Sequence, residues 1–306
     1  MIQLHYNAIM TASNSGSFLT QLFHQVYPRG SQAFNDIVQQ HVQLALAEDI
    51  GSGDLTALLI AETAQASATI ISRETAIICG QDWVNACFKN LDKNSQINWH
   101  VSDGSKVTAN QLLCEITGSA RALLSAERCA LNFLQTLSAV ATHTREYVDA
   151  IKHTTTKILD TRKTLPGLRM AQKYAVTVGG GFNQRLALYD GILIKENHIA
   201  TAGGVKYALQ AAAALASGAS IQIEVESLDE LQLALNAGAN SILLDNFNLT
   251  EMREAVKLSN GTAMLEASGN VSLSTVREIA ETGVDRISIG SLTKNIRAID
   301  LSMRIK

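Results

Sequence analysis

The spacing of apolar residues divides the chain into stretches with different periodicities. Residues 1–33 show no regular apolar spacing, and Thr11–Ser17 is a run of small, mostly polar side chains. Apolar residues recur at roughly helical spacing from Phe34 to Leu46 and stop at the turn-rich segment 48–54. We predict a disordered extension over residues 1–33, without the basic and apolar regions of a signal peptide, followed by a helix that begins near Phe34.

Short β-type runs follow, and a long helical stretch comes after them. Turn signals at Asp103–Gly104 and Gly118–Ser119 separate these runs, and a helix is expected to start near Asp82. Together these features predict a small α+β domain. Its strands are expected at Ala68–Ser72, Ala76–Cys79, Ile97–Val101 and Gln111–Ile116. The helical stretch 120–151 is expected to bury Leu123, Leu124, Leu131, Leu134, Leu137 and Val148.

Beyond residue 156 the chain alternates between strand-like and helical segments. Helices are predicted at 227–237 and 272–282, and alternating βα units imply a parallel sheet, open or closed. The strand-like runs end at Asp160, Lys195, Glu224, Asp245, Glu266 and Gly290. In an α/β barrel the carboxyl ends of the strands meet at the catalytic face, so these charges predict a shared active-site mouth in a TIM-like barrel.

Composition narrows the function classes. The 25 basic and 28 acidic residues give a net charge of −3, which argues against a nucleic-acid footprint over the whole protein. The sequence shows no apolar run of transmembrane length, so we expect a soluble protein without a membrane partner. The four cysteines lack CxxC spacing, which favours buried thiols in a reducing, cytoplasmic environment.

The segment between residues 160 and 200 contains six basic and three acidic residues, so we expect this part of the predicted active-site mouth to be cationic. Arg162 and Lys163 follow a strand-end aspartate and Lys195 ends a strand, which favours binding of carboxylates or phosphates. Arg169 and Lys173 lie four apart on a predicted helix, and we expect Lys173 to face solvent.

Two glycine-containing turns follow late strands, where barrels often bind phosphate through backbone N–H groups. They predict a phosphate site formed by Ser268, Gly269, Asn270, Ile289, Gly290 and Ser291. Gly179–Gly181 follows a helix rather than a strand, so a dinucleotide site is not predicted there. Glu224 and Asp245 are acids that can hold Mg²⁺, bind sugar hydroxyls or stabilise positive charge on a sugar carbon. This combination indicates glycosyl transfer from a phosphorylated sugar.

Longer motifs carry a resemblance to a known family. Asp160–Arg169, Lys173–Val176, Gly179–Gly181 and Leu193–His198 resemble quinolinate phosphoribosyltransferase, the decarboxylating nicotinate-nucleotide pyrophosphorylase of NAD biosynthesis. Further matches in the same order are Ala126–Arg128 with Leu131–Phe133, Glu224–Glu226, Leu243–Phe247, Glu266–Asn270 and Glu281–Asp285. The resemblance extends from about Phe34 to the C-terminus.

The resemblance implies an N-terminal α/β sandwich over 34–125 and an α/β (TIM-like) barrel over 126–291. The tail 292–306 is expected to pack back on the sandwich. It also implies a homodimer with active sites shared between subunits, with further assembly left open. Members transfer phosphoribosyl from phosphoribosyl pyrophosphate to quinolinate with Mg²⁺, giving nicotinate mononucleotide, pyrophosphate and CO₂.

Site roles also follow from the resemblance. Lys195, Glu224 and Asp245 are the expected catalytic residues, and Glu224 and Asp245 also serve ribose and metal, directly or indirectly. The late turns bind the 5′-phosphate, and Arg128 is expected to reach the partner's site. The quinolinate site is expected to comprise Arg128, Thr161, Arg162, Lys163, Gln184, Arg185 and Lys195.

One position departs from the family pattern, because Gln184 stands where relatives usually carry histidine. A glutamine can donate a hydrogen bond but cannot carry charge. The alternatives are nicotinate phosphoribosyltransferase activity, a paralogue associated with molybdenum transport, and a non-catalytic ligand-binding barrel.

Overall fold

The computed structural model describes residues 22–215 and 218–306. The chain forms two compact units. The parallel-sheet unit contains Glu146–Lys163, Gly181–Ser291 and the described residues that precede Tyr27. The antiparallel-sheet unit contains Tyr27–Arg145, Thr164–Gly180 and Leu292–Lys306.

The helices and strands follow in this order along the chain. The first part contains α1 (Leu22–Val26), α2 (Gln32–Ile50), a 3₁₀ turn (Ala57–Leu59), β1 (Gln65–Ser72), β2 (Ala76–Ile77), α3 (Gln81–Leu91), β3 (Gln96–Trp99), β4 (Lys106–Val107), β5 (Leu112–Ser119) and α4 (Ala120–Ala150). The second part contains β6 (Lys157–Leu159), α5 (Arg169–Val178), β7 (Gly191–Ile194), α6 (Glu196–Ala202), α7 (Val205–Leu215), β8 (Ser220–Val225), α8 (Leu228–Asn236), β9 (Ser241–Asp245), α9 (Leu249–Ser259), β10 (Met264–Ser268), α10 (Val276–Ala280), β11 (Arg286–Ser288), α11 (Ser291–Lys294) and β12 (Leu301–Ile305).

The antiparallel-sheet unit is built on a four-stranded sheet in the order β12-β1-β5-β3, beside a short β2-β4 pair. The C-terminal strand β12 pairs with β1 along Ala68–Ser72, so the tail belongs to this sheet. Helix α2 begins where the Ser31 side chain accepts a hydrogen bond from the backbone N–H of Phe34. Its apolar face buries Phe34, which makes edge-to-face ring contacts with Trp83 and Tyr174.

The parallel-sheet unit has six strands in the order β6-β11-β10-β9-β8-β7, all of them parallel to their neighbours. Among the described residues no ladder joins β6 to β7, although an isolated bridge connects Leu159 with Phe182. The strands bury continuous apolar runs such as Ile242–Leu244, because helices accompany a parallel sheet. The predicted α/β fold with a separate N-terminal sheet domain is confirmed.

Several details of the sequence-based prediction are wrong. Residues 1–21 lie outside the described part of the chain, but 22–33 are not disordered, since Phe23 and Tyr27 are buried there. The segment is too short to show a helical periodicity of its own. The predicted boundary at 125/126 falls inside α4, a continuous helix of 31 residues.

Burial corrects three further assignments. Leu124, predicted as core, is 36% exposed, because it lies one residue outside the buried stripe of α4. Lys173 does not face solvent but is fully buried, since α5 is covered along Ala171–Thr177. Glu266 does not end its strand but is the third residue of β10 and is 1% exposed.

The expected burial of the cysteine thiols is confirmed. All four cysteines are buried and free of disulfides, and burial raises the pKa of the Cys114 thiol to about 12. None of the described helices combines the length and the apolar character that crossing a bilayer requires.

Candidate active site

A lysine and a glutamate meet where two neighbouring strands of the parallel sheet end. Lys195 follows the last residue of β7, and Glu224 is the penultimate residue of β8. Because Ile194 pairs with Ile223, the next residues of both strands lie side by side. The Lys195 Nζ donates to both carboxylate oxygens of Glu224, at 3.0 and 2.8 Å. Glu224 is buried and the Lys195 side chain is 44% exposed, so the pair presents its cationic end to solvent.

The next two strands bring a second acid beside a tight turn. Asp245 ends β9 and is paired in register with Ser268, the last residue of β10. The Asn246 side chain donates to Asp245 Oδ2 at 2.8 Å, and its backbone N–H donates to the Ser268 carbonyl at 3.0 Å. Gly269 has a φ of 101°, and an added Cβ would lie 2.1 Å from Asn246 Oδ1. The turn therefore requires glycine, and it holds Asp245 and Ser268 together.

A third group lies around the last glycine turn. The Ile289 backbone N–H donates to the Leu159 carbonyl, which joins the end of β11 to β6. A Cβ added at Gly290 would lie 3.0 Å from Lys163 Cδ and 3.6 Å from Thr161 Oγ1. The Oγ of Ser291 is buried and finds no hydrogen-bond partner among the residues that the structure describes. The predicted Thr161, Lys163 and Gly290 are therefore neighbours in the structure.

Two arginines make the same unit cationic. Arg185 donates from a guanidinium nitrogen to the Gly191 carbonyl at 2.8 Å. Burial, and after it the nearby guanidinium of Arg162, lowers the pKa of Arg185 from its ordinary value, and Asp190 opposes this effect. The repulsion between these two cations favours an anionic ligand that relieves it.

Gln184 is the first member of a series of hydrogen-bonded polar side chains that continues into the parallel sheet. Its backbone N–H donates to Asp160 Oδ1 at 2.9 Å, and its side-chain Nε2 donates to Gln222 Oε1 at 2.7 Å. The Gln222 Nε2 then donates to Glu266 Oε2 at 2.9 Å. Burial raises the pKa of Glu266 above its ordinary value, against the lowering effect of the hydrogen bond from Gln222.

Sequence reasoning missed Gln222, Asn183 and Asn246 as parts of this arrangement. Asn183 belongs to it because its side chain donates to Asp160 Oδ2 at 2.7 Å. Gln222 interrupts an apolar run two residues before Glu224, and alternate residues of a strand share a face, so its position was a usable signal. Asn183 and Asn246 lie in loops, where the pattern of polar residues gives no such signal.

Arg128 does not lie in this unit. It occupies an exposed position on α4, within the antiparallel-sheet unit. All other predicted site residues lie in the parallel-sheet unit, at the strand ends or in the segments that follow them.

Comparisons with known proteins match this arrangement of domains. Residues 54–138 match the profile of the N-terminal domain of quinolinate phosphoribosyl transferase, and 140–304 match that of its C-terminal domain. The chain belongs to the quinolinate phosphoribosyltransferase family. Its two matches together span most of the sequence.

Individual relatives of this family are similar over nearly their whole length. A probable carboxylating nicotinate-nucleotide pyrophosphorylase of Bacillus subtilis is 42% identical, covering 84% of this chain and 90% of the relative. The solved nicotinate-nucleotide pyrophosphorylase of Francisella tularensis is 49% identical with a TM-score of 0.86, covering 89% of this chain and 97% of the other. A structure of human nicotinic acid phosphoribosyltransferase has a TM-score of 0.56 at 13% identity, which shows a shared fold alone.

Proposed function

We propose that this enzyme transfers phosphoribosyl from phosphoribosyl pyrophosphate to quinolinate with loss of CO₂, giving nicotinate mononucleotide and pyrophosphate. The supporting observation is the pairing of Lys195 with Glu224 at adjacent strand ends, in the unit that also holds the Arg162–Arg185 cluster. Relatives named as carboxylating nicotinate-nucleotide pyrophosphorylases support the same reaction.

Quinolinate is a dianion, which fits a site with more cations than one carboxylate requires. Arg162 and Arg185 offer planar forks for carboxylates, while Lys195 and Lys163 offer compact charges. We assign Thr161 and Gln184 as neutral partners of the same substrate. Holding the ring nitrogen in line with the sugar carbon converts a bimolecular encounter into an oriented reaction.

Glu224 and Asp245 interact with the ribose of phosphoribosyl pyrophosphate. The ring nitrogen forms a bond to the anomeric carbon as the bond to pyrophosphate breaks, and positive charge develops on the sugar. Glu224 and Asp245 stabilise that charge or bind the ribose hydroxyls. The turns Ser268–Asn270 and Ile289–Ser291 bind the 5′-phosphate. Because the Ile289 N–H donates to Leu159, the donors of the second turn are the backbone N–H groups of Gly290 and Ser291 together with the buried Ser291 Oγ.

Mg²⁺ is proposed as the metal. In the described residues, no cluster of three or more His, Cys, Asp or Glu is arranged to hold an ion. Mg²⁺ is commonly bound by one or two carboxylates together with substrate phosphates, a role that suits Glu224 and Asp245. When bound, the ion neutralises the charge of the departing pyrophosphate.

Decarboxylation follows from the product of the first step. Once alkylated, the ring nitrogen is cationic, so the bond to the adjacent carboxylate breaks with its electron pair retained by the ring carbon. CO₂ leaves as this bond breaks, and the ring carbon then takes a proton. The protein contributes positioning and exclusion of water.

The test is loss of quinolinate absorbance in the presence of phosphoribosyl pyrophosphate, with and without Mg²⁺. Turnover of quinolinate with release of CO₂ supports the proposal. Turnover of nicotinate but not quinolinate would assign the nicotinate reaction, and no turnover with either would favour a molybdenum-transport paralogue or a non-catalytic barrel.

We also propose a homodimer with Arg128 completing the partner's site, and a cytoplasmic location. Arg128→Ala and Lys195→Ala homodimers should each be nearly inactive. A mixed dimer gathers both changes into one site and leaves the other intact, so random mixing should restore roughly a quarter of wild-type activity. No recovery, once native mass spectrometry shows mixed dimers, refutes the shared site.

A further inference from the structure

Three polar side chains are joined by hydrogen bonds into a continuous chain inside the parallel-sheet unit. It starts at Glu266, which is almost fully buried in the middle of β10, and continues to Gln222, which is 6% exposed on β8. It ends at the half-buried Gln184, outside the strands. The hydrogen bonds along it measure 2.9 and 2.7 Å between heavy atoms.

The direction of this chain is set at its buried end. The amide nitrogen of Gln222 donates to Glu266, so the amide oxygen of Gln222 faces Gln184 and accepts from it. The nitrogen of Gln184 must then face Gln222. A buried polar group without a partner is costly, and this cost opposes rotation of either amide.

Gln184 is thereby held at two points. Asp160 accepts from its backbone N–H, and Gln222 accepts from its side chain. The next residue is Arg185, whose guanidinium is repelled by the charge of Arg162. Because the Gln184 amide is already fixed in one orientation, it loses little conformational entropy when a carboxylate binds. A freely rotating amide would have to be ordered first.

We propose that Gln222, oriented by Glu266, is a positioning residue for quinolinate that acts through Gln184. Gln222 does not touch the substrate. It holds the Gln184 amide in one orientation beside the arginine pair, so the neutral glutamine binds a carboxylate with a preset geometry. The inference rests on the proposed function, because it assigns quinolinate as the ligand of Gln184.

The experiment is a double-mutant cycle on quinolinate kinetics. Gln222→Leu should raise the KM for quinolinate by about tenfold, equivalent to about 1.4 kcal/mol, with the KM for phosphoribosyl pyrophosphate changed less than about twofold. Gln184→Leu should raise the same KM, and the double variant should show no further rise, because the two residues act as one unit. Gln232→Leu is the matched control, since this exposed glutamine on α8 donates a hydrogen bond to Asn236, four residues along the same helix.

Each outcome separates the possibilities. A merely structural Gln222 would lower the melting temperature, change both KM values together and add to the effect of Gln184→Leu; any of these kinetic results overturns the proposal. If Gln222→Leu does not fold, Gln222→Met, which keeps the length of the side chain without its polar atoms, is measured in its place. Wild-type protein that does not consume quinolinate would instead refute the proposed function.

Discussion

Replacing Gly269 by alanine tests how the turn after β10 supports the proposed sugar site. Gly269 has a φ of 101°, and Gly261, before the same strand, has a φ of 75°. Alanine is strained in such conformations, at a cost of about 1–3 kcal/mol. Gly261 has open space where a Cβ would be added, so Gly261→Ala carries this backbone cost alone and is the matched control.

Gly269→Ala adds a collision to that cost. The new Cβ would lie 2.1 Å from Asn246 Oδ1 and 3.1 Å from the Asn246 backbone nitrogen. That nitrogen is bonded to the Ser268 carbonyl, so the side chain of Asn246 has to move and release Asp245. Overpacking of this kind typically costs about 1–3 kcal/mol, so Gly269→Ala should be destabilised by that much more than Gly261→Ala.

The assay is urea unfolding of both variants together with steady-state kinetics. We expect the KM for phosphoribosyl pyrophosphate to rise in Gly269→Ala only, because the displaced Asn246 leaves Asp245 without its neighbour. The quinolinate KM should stay near the wild-type value. Equal destabilisation of the two variants, or an unchanged KM for phosphoribosyl pyrophosphate, would refute this reasoning.

Three further predictions test other parts of the molecule. Lys195→Ala should lower kcat/KM by more than tenfold, a loss above ~1.4 kcal/mol of transition-state stabilisation, and a smaller loss would contradict its catalytic role. Phe23→Ala should lower the free energy of unfolding by about 3–5 kcal/mol because Phe23 is fully buried, and an unchanged urea midpoint would show that α1 contributes no stability. Burial holds the pKa of Glu266 above its ordinary value of 4.5, so its ionisation opposes folding as the pH rises. Glu266→Gln should therefore gain stability relative to wild type as the pH rises above the ordinary glutamate pKa and lose that gain in acid, whereas a pH-independent difference would count against this account.

Sequence patterns alone were enough to predict the order of the βα units and which strand ends carry the candidate site residues. Lys195, Glu224 and Asp245 each follow or lie within an apolar run that forms a strand. The carboxyl ends of parallel strands lie at the same edge of the sheet, so these side chains are brought to that edge. Helix α4 was also predictable within one residue, because its buried stripe repeats over many turns. Local information suffices here because the periodicity and the chain direction determine which side chains share a face or an edge.

Other features depended on contacts between residues distant in sequence. Glu266 has the same local pattern as Glu224, yet the strand β10 continues two residues beyond it and buries it in the sheet. Lys173 lies four residues from Arg169, as an exposed pair would, but its whole helix is covered. The amide chain from Gln184 to Glu266 joins residues 38 and 44 positions apart. Burial and hydrogen-bond partners depend on which elements pack together, so only the tertiary structure decided which polar residues face the mouth and which support it from inside.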